Sequence, residues 1–257
     1  MNTREQLIAI KAILWKEVLR FSRLWIQTIL PPMITTALYF VIFGRLIGSQ
    51  VSDIGGYHYM NYIAPGLILM NVITNSYGNV VASFYSSKFQ RNIEEMLVSP
   101  LPNYLIVIGF VGGGLARGIA VGGAVTVVSL LFTVIPLHNL WVAISVVLLT
   151  SMLFSLGGLI NAIYATSFDD ITVIPTFVLT PLTYLGGVFY TVTMLPPFWQ
   201  SISLANPILY MVNAFRYGLL GVSDVNLGVA YMAILGFNAV LFWYALYLLN
   251  RGYGVRT

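Results

Sequence analysis

Residues that could hold a metal ion are scarce in this chain. It has two histidines, His58 and His138, and no cysteine. Both histidines fall in segments predicted to be loops, without the clustered carboxylates or thiols that would complete a metal site. The lack of cysteine excludes disulfides and thiolate ligands. The chain is therefore predicted to bind no metal and no cofactor of its own.

Residues that could perform acid–base catalysis or hydrolyse ATP do not converge. The acidic residues that stand side by side are Glu94–Glu95 and Asp169–Asp170. Adjacent side chains point apart, so neither pair predicts a catalytic dyad. A P-loop requires Gly-Lys followed by Ser or Thr, and none of the lysines, Lys11, Lys16 and Lys88, follows a glycine. The sequence therefore predicts a protein that is not itself an enzyme.

The composition indicates an integral membrane protein. Hydrophobic residues make up 58% and charged residues 8% of the chain, against about a quarter charged in a soluble domain. A helix needs about 20 apolar residues to cross the bilayer core, and charge-free intervals of that size recur. Their continuous apolar runs favour helices over a barrel. The predicted fold is all-α with six transmembrane helices, near residues 25–47, 59–84, 104–135, 140–165, 172–191 and 229–249.

The positive charges predict the orientation. Lys and Arg are concentrated in the amino-terminal arm, in the loop between spans two and three, and in the tail, where Arg251 and Arg256 lie. Arg45 and Arg216 fall on the opposite side. By the positive-inside rule both termini face the cytoplasm, as an even number of spans requires. The net charge of +4 then reflects topology and attraction to the lipid bilayer, not nucleic-acid binding.

The arm before span one, residues 1–23, is predicted to be an amphipathic helix lying in the membrane interface. Its apolar residues recur at steps of three or four, while its cationic residues occupy another face, a pattern typical of interfacial helices. The apolar residues are Leu7, Ile10, Leu14, Val18 and Phe21.

Span two carries Asn71, Asn75 and Asn79, spaced four apart and therefore on one helix face. Amides facing lipid are costly, so this face must meet protein or water. Hydrogen bonding to a neighbouring helix and lining a transport pathway both satisfy that requirement. In span three, Arg117 precedes Ile135 by a distance of about 27 Å along a helix, so it is expected to extend to the cytoplasmic boundary.

The segment between spans two and three, KFQRNIEEMLVSPLPNYL, combines charges with an apolar cluster. It predicts a short amphipathic helix that ends before Pro100 and Pro102. Within it, QRNIEEMLVSPLP resembles the cytoplasmic coupling segment of ABC-2 type permeases, the membrane subunits of ATP-binding-cassette exporters. The resemblance implies that residues 86–102 couple to an ATPase. The residues expected to carry this coupling are Arg91, Glu94, Glu95, Met96 and Leu97.

A second stretch, from Leu185 onward, strengthens the resemblance. It is apolar yet interrupted by glycine and proline, and it matches the family signature of spaced aliphatics, a small residue, and a distal proline and arginine. The matching residues include Gly186, Pro196, Pro207, Tyr210 and Arg216. In such permeases this segment dips back as short helices without crossing, which implies broken re-entrant helices over residues 192–220. Non-helical backbone at that depth must be buried by protein or water.

The resemblance covers essentially the whole chain and implies one ABC-2 type transmembrane domain over residues 1–257. Within the family it is most similar to the YadH-type inner-membrane permeases of Gram-negative bacteria. It therefore implies a second copy of the chain and two copies of a separate ATPase that binds ATP and Mg²⁺. The implied function is export of an unidentified amphiphilic substrate across the bacterial inner membrane.

Two other classes of function stay open. An ATP-independent carrier or channel would need no ATPase, although no Asp or Glu lies inside a predicted span to couple an ion. An intramembrane enzyme acting on lipids would need converging catalytic residues, which the sequence does not offer. The exporter subunit is the leading hypothesis.

Overall fold

The computed structural model describes residues 2–47, 54 and 56–254. Over these residues the chain is helical apart from loops and one isolated β-bridge, between Ile54 and Tyr57. The all-α prediction is therefore confirmed for this part of the chain. Arg256, which contributed to the predicted orientation, lies outside the described residues, as does the side chain of Arg45.

The elements follow one another along the described chain as a series of long helices connected by short ones. The α-helices are α1 Thr3–Arg23, α2 Trp25–Tyr39, α3 Tyr59–Phe89, α4 Asn92–Val98, α5 Asn103–Phe132, α6 Leu140–Tyr164, α7 Asp170–Ile174, α8 Thr180–Tyr184, α9 Pro197–Ala205, α10 Pro207–Leu220 and α11 Leu227–Arg251. A π-helix over Phe40–Ile47 extends α2, a second over Pro175–Leu179 joins α7 to α8, and a 3₁₀ turn over Val192–Met194 precedes α9.

The helix α1 forms where the amphipathic pattern predicts it. A capping box starts it, in which the Asn2 backbone N–H donates to Glu5 Oε2 at 2.9 Å. Arg20 and Arg23 lie in its last turn, where positive charge is favourable to the helix dipole. Leu24 alone separates α1 from α2, so the two helices meet in a one-residue elbow.

The buried face of α1 differs from the predicted apolar stripe. The buried residues are Ile13, Glu17 and Phe21, whereas Leu7 is 63% exposed. The reason is a close approach to α5: a Cβ added at Gly113 would lie 2.5 Å from Glu17 Cβ. Small residues allow helix backbones to come this close. The contact with α5 therefore determines which face of α1 is buried.

Among the described residues, four helical stretches are long and apolar enough to cross a membrane: Trp25–Gly44, Asn103–Phe132, Leu140–Tyr164 and Leu227–Arg251. They coincide with predicted spans one, three, four and six. The helix α3, at 31 residues, occupies the position of predicted span two and is largely buried against α5 and α6. It carries Asn, Ser and Tyr residues among its apolar ones, and it is the central helix of the bundle.

The predicted fifth span, residues 172–191, begins as a helical stretch that runs from Asp170 to Tyr184. A π-helical segment, Pro175–Leu179, lies within this stretch between α7 and α8. Pro175 and Pro181 have no backbone N–H to donate, which interrupts the regular hydrogen-bond pattern. The Thr180 hydroxyl donates to the Pro175 carbonyl at 2.9 Å, and Gly187, with φ of 71°, turns the chain beyond α8. The helical stretch therefore ends before residue 191, and the number of six spans stays a prediction.

Beyond α8 the chain folds as two short helices, α9 and α10, before α11 begins. The carboxamide of Asn206 lies between them, accepting from Ile208 N at 3.0 Å and donating to the Leu182 carbonyl at 2.6 Å. Gly221, with φ of 77°, ends α10. Since α10 packs against α3, α6 and α11, this segment is an integral part of the bundle.

Candidate functional site

Polar side chains form a stripe along the middle of α3. Asn71, Thr74 and Asn75 are half-buried, and we call these three residues the polar stripe. Lipid offers no hydrogen bonds, so a partly open polar face within a membrane-spanning bundle must meet water, a polar ligand or protein. The stripe is therefore a candidate surface for a transported molecule.

Neighbouring helices contribute polar groups to the same stripe. Asn71 Nδ2 donates to Thr36 Oγ1 of α2 at 3.2 Å. The Arg117 guanidinium of α5 donates to Asn75 Oδ1 at 3.1 Å, so this arginine lies beside the stripe; its extension to the cytoplasmic boundary stays a prediction. Together with Arg117, the stripe offers one positive charge and several amide and hydroxyl groups, an arrangement suited to polar or anionic groups.

A buried carboxylate holds α1 against α3. Glu17 is 0% exposed; its carboxylate accepts from the Ser83 hydroxyl at 2.6 Å and pairs with Arg20 at 3.1 Å. Arg20 also donates to the carbonyl and to the Oδ1 of Asn79, at 3.0 and 2.8 Å. Asn79, the third asparagine of the predicted face, is fully buried. It therefore connects helices and does not belong to the open stripe.

The residues predicted to couple to an ATPase lie on and beside α4, with different exposures. Arg91 and Glu95 are exposed and Glu94 is half-buried, while Met96 and Leu97 are half-buried and pack against the core. Arg91 has a positive φ of 62°, which turns the chain sharply between α3 and α4. The acidic and basic members of the set are thus accessible, and the two apolar members largely support α4.

The surface around α4 includes two exposed apolar residues outside the predicted coupling set. Val98, at the end of α4, is 87% exposed and Phe89, the last residue of α3, is 66% exposed, whereas Ile93 is 1% exposed and anchors α4. We call Phe89, Arg91, Glu95 and Val98 the α4 surface, and the end of the bundle that carries it the α4 end. Exposed apolar residues on either side of charged ones are typical of a protein-binding surface.

The loop between α6 and α7 is tied to the same end of the bundle. Lys88 Nζ donates to the carbonyls of Ile163 and Ala165 at 2.8 and 2.7 Å, and the Tyr85 hydroxyl donates to the Thr166 carbonyl at 2.9 Å. A cleft of about 170 Å³ lies between this loop and the start of α4. The loop and α4 therefore form one continuous surface.

Asp170 stabilises that loop from its own side. Its Oδ2 accepts from Thr166 N and Oγ1, both at 2.8 Å, and from Ser167 N at 3.0 Å. These hydrogen bonds, from Thr166 first and then from Ser167, favour the ionised carboxylate and lower the pKa of Asp170 to about 2. Asp170, one half of the adjacent acidic pair Asp169–Asp170, therefore orders this loop.

Arg216, the arginine of the family signature, is 1% exposed. It donates to the Gly187 carbonyl at 2.6 Å and to Asn213 Oδ1 at 3.4 Å, and its guanidinium lies 4.0 Å from the Tyr62 ring centroid. It therefore connects the turn after α8 to α10 and α3.

The other signature residues have separate structural roles in the region from α8 to α10. A Cβ added at Gly186 would come within 2.6 Å of the Ile208 side chain, so only glycine lets α8 approach α10 here. Pro207 begins α10, and the Tyr210 hydroxyl donates to the Leu204 carbonyl at 2.8 Å. Pro196 precedes α9. The signature therefore specifies how the α8–α10 region folds and not a cluster of reactive groups.

Sequence reasoning missed Glu17, which holds α1 in place, and Thr36, which completes the polar stripe. Ile13, Glu17 and Phe21 recur at steps of four, a spacing that could have placed the carboxylate on the buried face. Nothing in the sequence signals that Thr36 faces Asn71, because the contact joins separate helices.

Comparisons with known proteins agree with the resemblance drawn from the motifs. Residues 8–220 match the model of the ABC-2 type transporter family. The chain is 53% identical over 251 residues to the inner membrane transport permease YadH of Escherichia coli strain K12, covering 97% of this chain and 98% of that protein. It is 24% identical over 216 residues to nodulation protein J of Rhizobium leguminosarum bv. viciae, covering 84% of this chain and 83% of the relative. With four helices apolar enough to cross a bilayer in the part of the chain that the structure describes, the chain is a multi-pass membrane protein that belongs to the ABC-2 type transporter family.

Proposed function

We propose that this chain is the permease subunit of an ATP-binding-cassette exporter in the bacterial inner membrane, driven by a separate ATPase. Family membership supports the transport role, and the name of the Escherichia coli relative, inner membrane transport permease, supports the location. In this proposal the α4 end and both termini face the cytoplasm. ATP and Mg²⁺ are bound by the ATPase and not by this chain.

The observation that carries the ATPase assignment is the α4 surface. Val98 is almost fully exposed at the end of α4, and Arg91 and Glu95 are exposed earlier along the same segment; Ile93 anchors the helix. A short, well-anchored helix that exposes an apolar residue and charged ones suits insertion into a groove on a partner protein. Two copies of the permease would each present one such helix to one ATPase.

The polar stripe supports a pathway between two copies of the chain. Its residues are half-buried within one copy, and a second copy facing it would remove the amides and Arg117 from lipid. The resulting passage would have polar walls at mid-bundle and apolar surroundings, which suits an amphiphile that carries a polar or anionic group. Movement of the substrate is outward, from the cytoplasm or the inner leaflet.

Co-purification with the ATPase tests the proposal. The tagged chain, extracted gently from its native membrane, should carry an ATPase with a P-loop in equal amount and should hydrolyse ATP. Val98→Arg should release that ATPase because it places a charge in an apolar contact. The matched control is Val134→Arg, since Val134 is also 80% exposed but lies beyond the opposite end of α5.

Two results would contradict the proposal. Equal loss of the ATPase in both valine variants would mean that α4 is not the contact. A chain that purifies alone, and whose transport in vesicles is unaffected by removing ATP, would instead be an ATP-independent carrier or channel.

A further inference from the structure

An open groove lies along one face of α1 and ends at Leu24, the residue between α1 and α2. Its volume is about 720 Å³. Cations and apolar side chains share its lining, chiefly Trp15, Lys16, Leu19, Arg20, Arg23 and Leu24. Basic and apolar groups within one groove match a ligand that has both an anionic and an apolar part.

The charges at this groove are not neutralised by the protein. Lys16 and Arg23 are exposed, and Arg23 has no hydrogen bond or ion pair within the described part of the chain; the one contact of Lys16 is with the Phe110 ring, 5.6 Å from its centroid. Arg20 is paired with Glu17, but that carboxylate is fully buried and shared with Ser83. The groove therefore presents a net positive charge.

The position of the groove specifies the kind of ligand. Trp25 begins the first stretch that is apolar enough to cross a membrane, so the residues just before it lie at the level of the lipid headgroups. Trp15 is 62% exposed on the same groove, and tryptophan favours this interfacial zone. A basic, Trp-bearing helix in that position attracts anionic lipid.

We propose that this groove binds one anionic phospholipid, with its phosphate between Lys16 and Arg23 and its acyl chains along Leu19 and Leu24. The site lies on α1 and ends at Leu24, the residue that joins α1 to α2. The site requires only that α2 spans the bilayer, so it is independent of the proposed export function and of any ATPase.

Native mass spectrometry of the purified chain, with and without added lipid, tests the site. The wild type should retain phosphatidylglycerol in preference to phosphatidylcholine. The double variant Lys16→Gln/Arg23→Gln should bind phosphatidylglycerol roughly ten- to thirty-fold more weakly, because each cation near an anionic headgroup contributes a several-fold factor. Both residues are exposed, so the variant is expected to fold; its thermal unfolding in detergent checks this.

The matched control is Arg4→Gln/Lys11→Gln, which removes the same charge from exposed positions of α1 outside the groove. Retention of phosphatidylglycerol by this control, together with its loss from the groove variant, supports the site. Equal weakening in both variants means diffuse attraction by a basic helix and overturns the proposal, as does equal binding of the two lipids by the wild type. Release of the lipid by inorganic phosphate alone would show an anion site that does not require a lipid, and would overturn it too.

Discussion

The hydroxyl of Ser83 on α3 donates a 2.6 Å hydrogen bond to the carboxylate of Glu17 on α1, which lies 66 positions earlier in the chain. Through this contact the amino-terminal helix α1 is connected to the centre of the bundle. Glu17 also pairs with Arg20, and Arg20 donates a hydrogen bond to Asn79. The side chains of Glu17, Arg20 and Asn79 therefore depend on one another for their polar contacts.

Glu17→Gln should destabilise the protein, because it leaves the Arg20 guanidinium without its counter-charge. Removing one partner of a buried pair costs about 3–5 kcal/mol; since Arg20 is 32% exposed, we expect about half of that. The measurement is the thermal unfolding midpoint in detergent, with Glu95→Gln on exposed α4 as control. Recovery of stability in Glu17→Gln/Arg20→Gln would show coupling, whereas a simple sum of the two losses would contradict it.

Asn75→Ala should impair transport more than it impairs stability. Hydrogen bonds between membrane helices contribute on average about 0.6 kcal/mol, so loss of the Arg117 contact should lower the unfolding midpoint slightly. Asn79→Ala, at a fully buried position, should impair stability more than it impairs transport. The measurements are unfolding in detergent and substrate-stimulated ATP hydrolysis of the complex; equal effects of both variants on both readouts would argue against a pathway role for the stripe.

Asp170 should make stability depend on pH in the acid range. Its pKa in the folded protein is about 2, lowered from an ordinary value of 3.8. The contribution of Asp170 to the stability of the folded protein is therefore present above about pH 4 and is lost as the pH falls towards 2. The unfolding midpoint of the wild type should fall over this interval. Asp170→Asn should flatten that part of the profile, while Asp169→Asn, one residue away, should leave it unchanged.

Arg216→Lys should be strongly destabilising despite conserving the charge. A lysine cannot reproduce the planar guanidinium that bonds Gly187 and Asn213 while stacking on Tyr62. Charge-assisted hydrogen bonds contribute about 1.5–3 kcal/mol each, so we expect a loss of at least about 2 kcal/mol by thermal unfolding. Tyr210→Phe, which removes only the bond to the Leu204 carbonyl, should cost less; the opposite ranking would contradict this role of Arg216.

The sequence alone predicted those helices and helix ends that depend on one local pattern of residues. Long apolar intervals, broken by a charge only at Arg117, predicted the helices α5, α6 and α11, and the prolines after Val98 predicted the end of α4. Prediction was less accurate where the outcome depends on contacts between distant segments. The interval 172–191 carries no charge, yet it contains a π-helical segment at Pro175–Leu179 and a turn at Gly187.

The candidate site shows the same contrast. The spacing of Asn71, Asn75 and Asn79 predicted one polar face, but only the bundle shows that the first two are half-buried and the third is enclosed. The buried role of Glu17 depends on Gly113, which lets α1 approach α5. A pattern along one helix predicts its faces, and the neighbouring helices decide which of them are covered.

The sharp turn at Arg91 joins α3 closely to α4, so that in the proposed complex α4 would act as the short arm of a lever and α3 as its long arm. Only Gln90 and Arg91 separate the helices, and Ile93 holds the short arm against the bundle. The long arm has 31 residues and therefore a length of about 46 Å. Tilting it by about 5° about the α4 end would displace its far end by about 4 Å at this length. A small push on α4 would thus be amplified along α3, and the polar stripe, near the middle of the arm, would move by about half that distance.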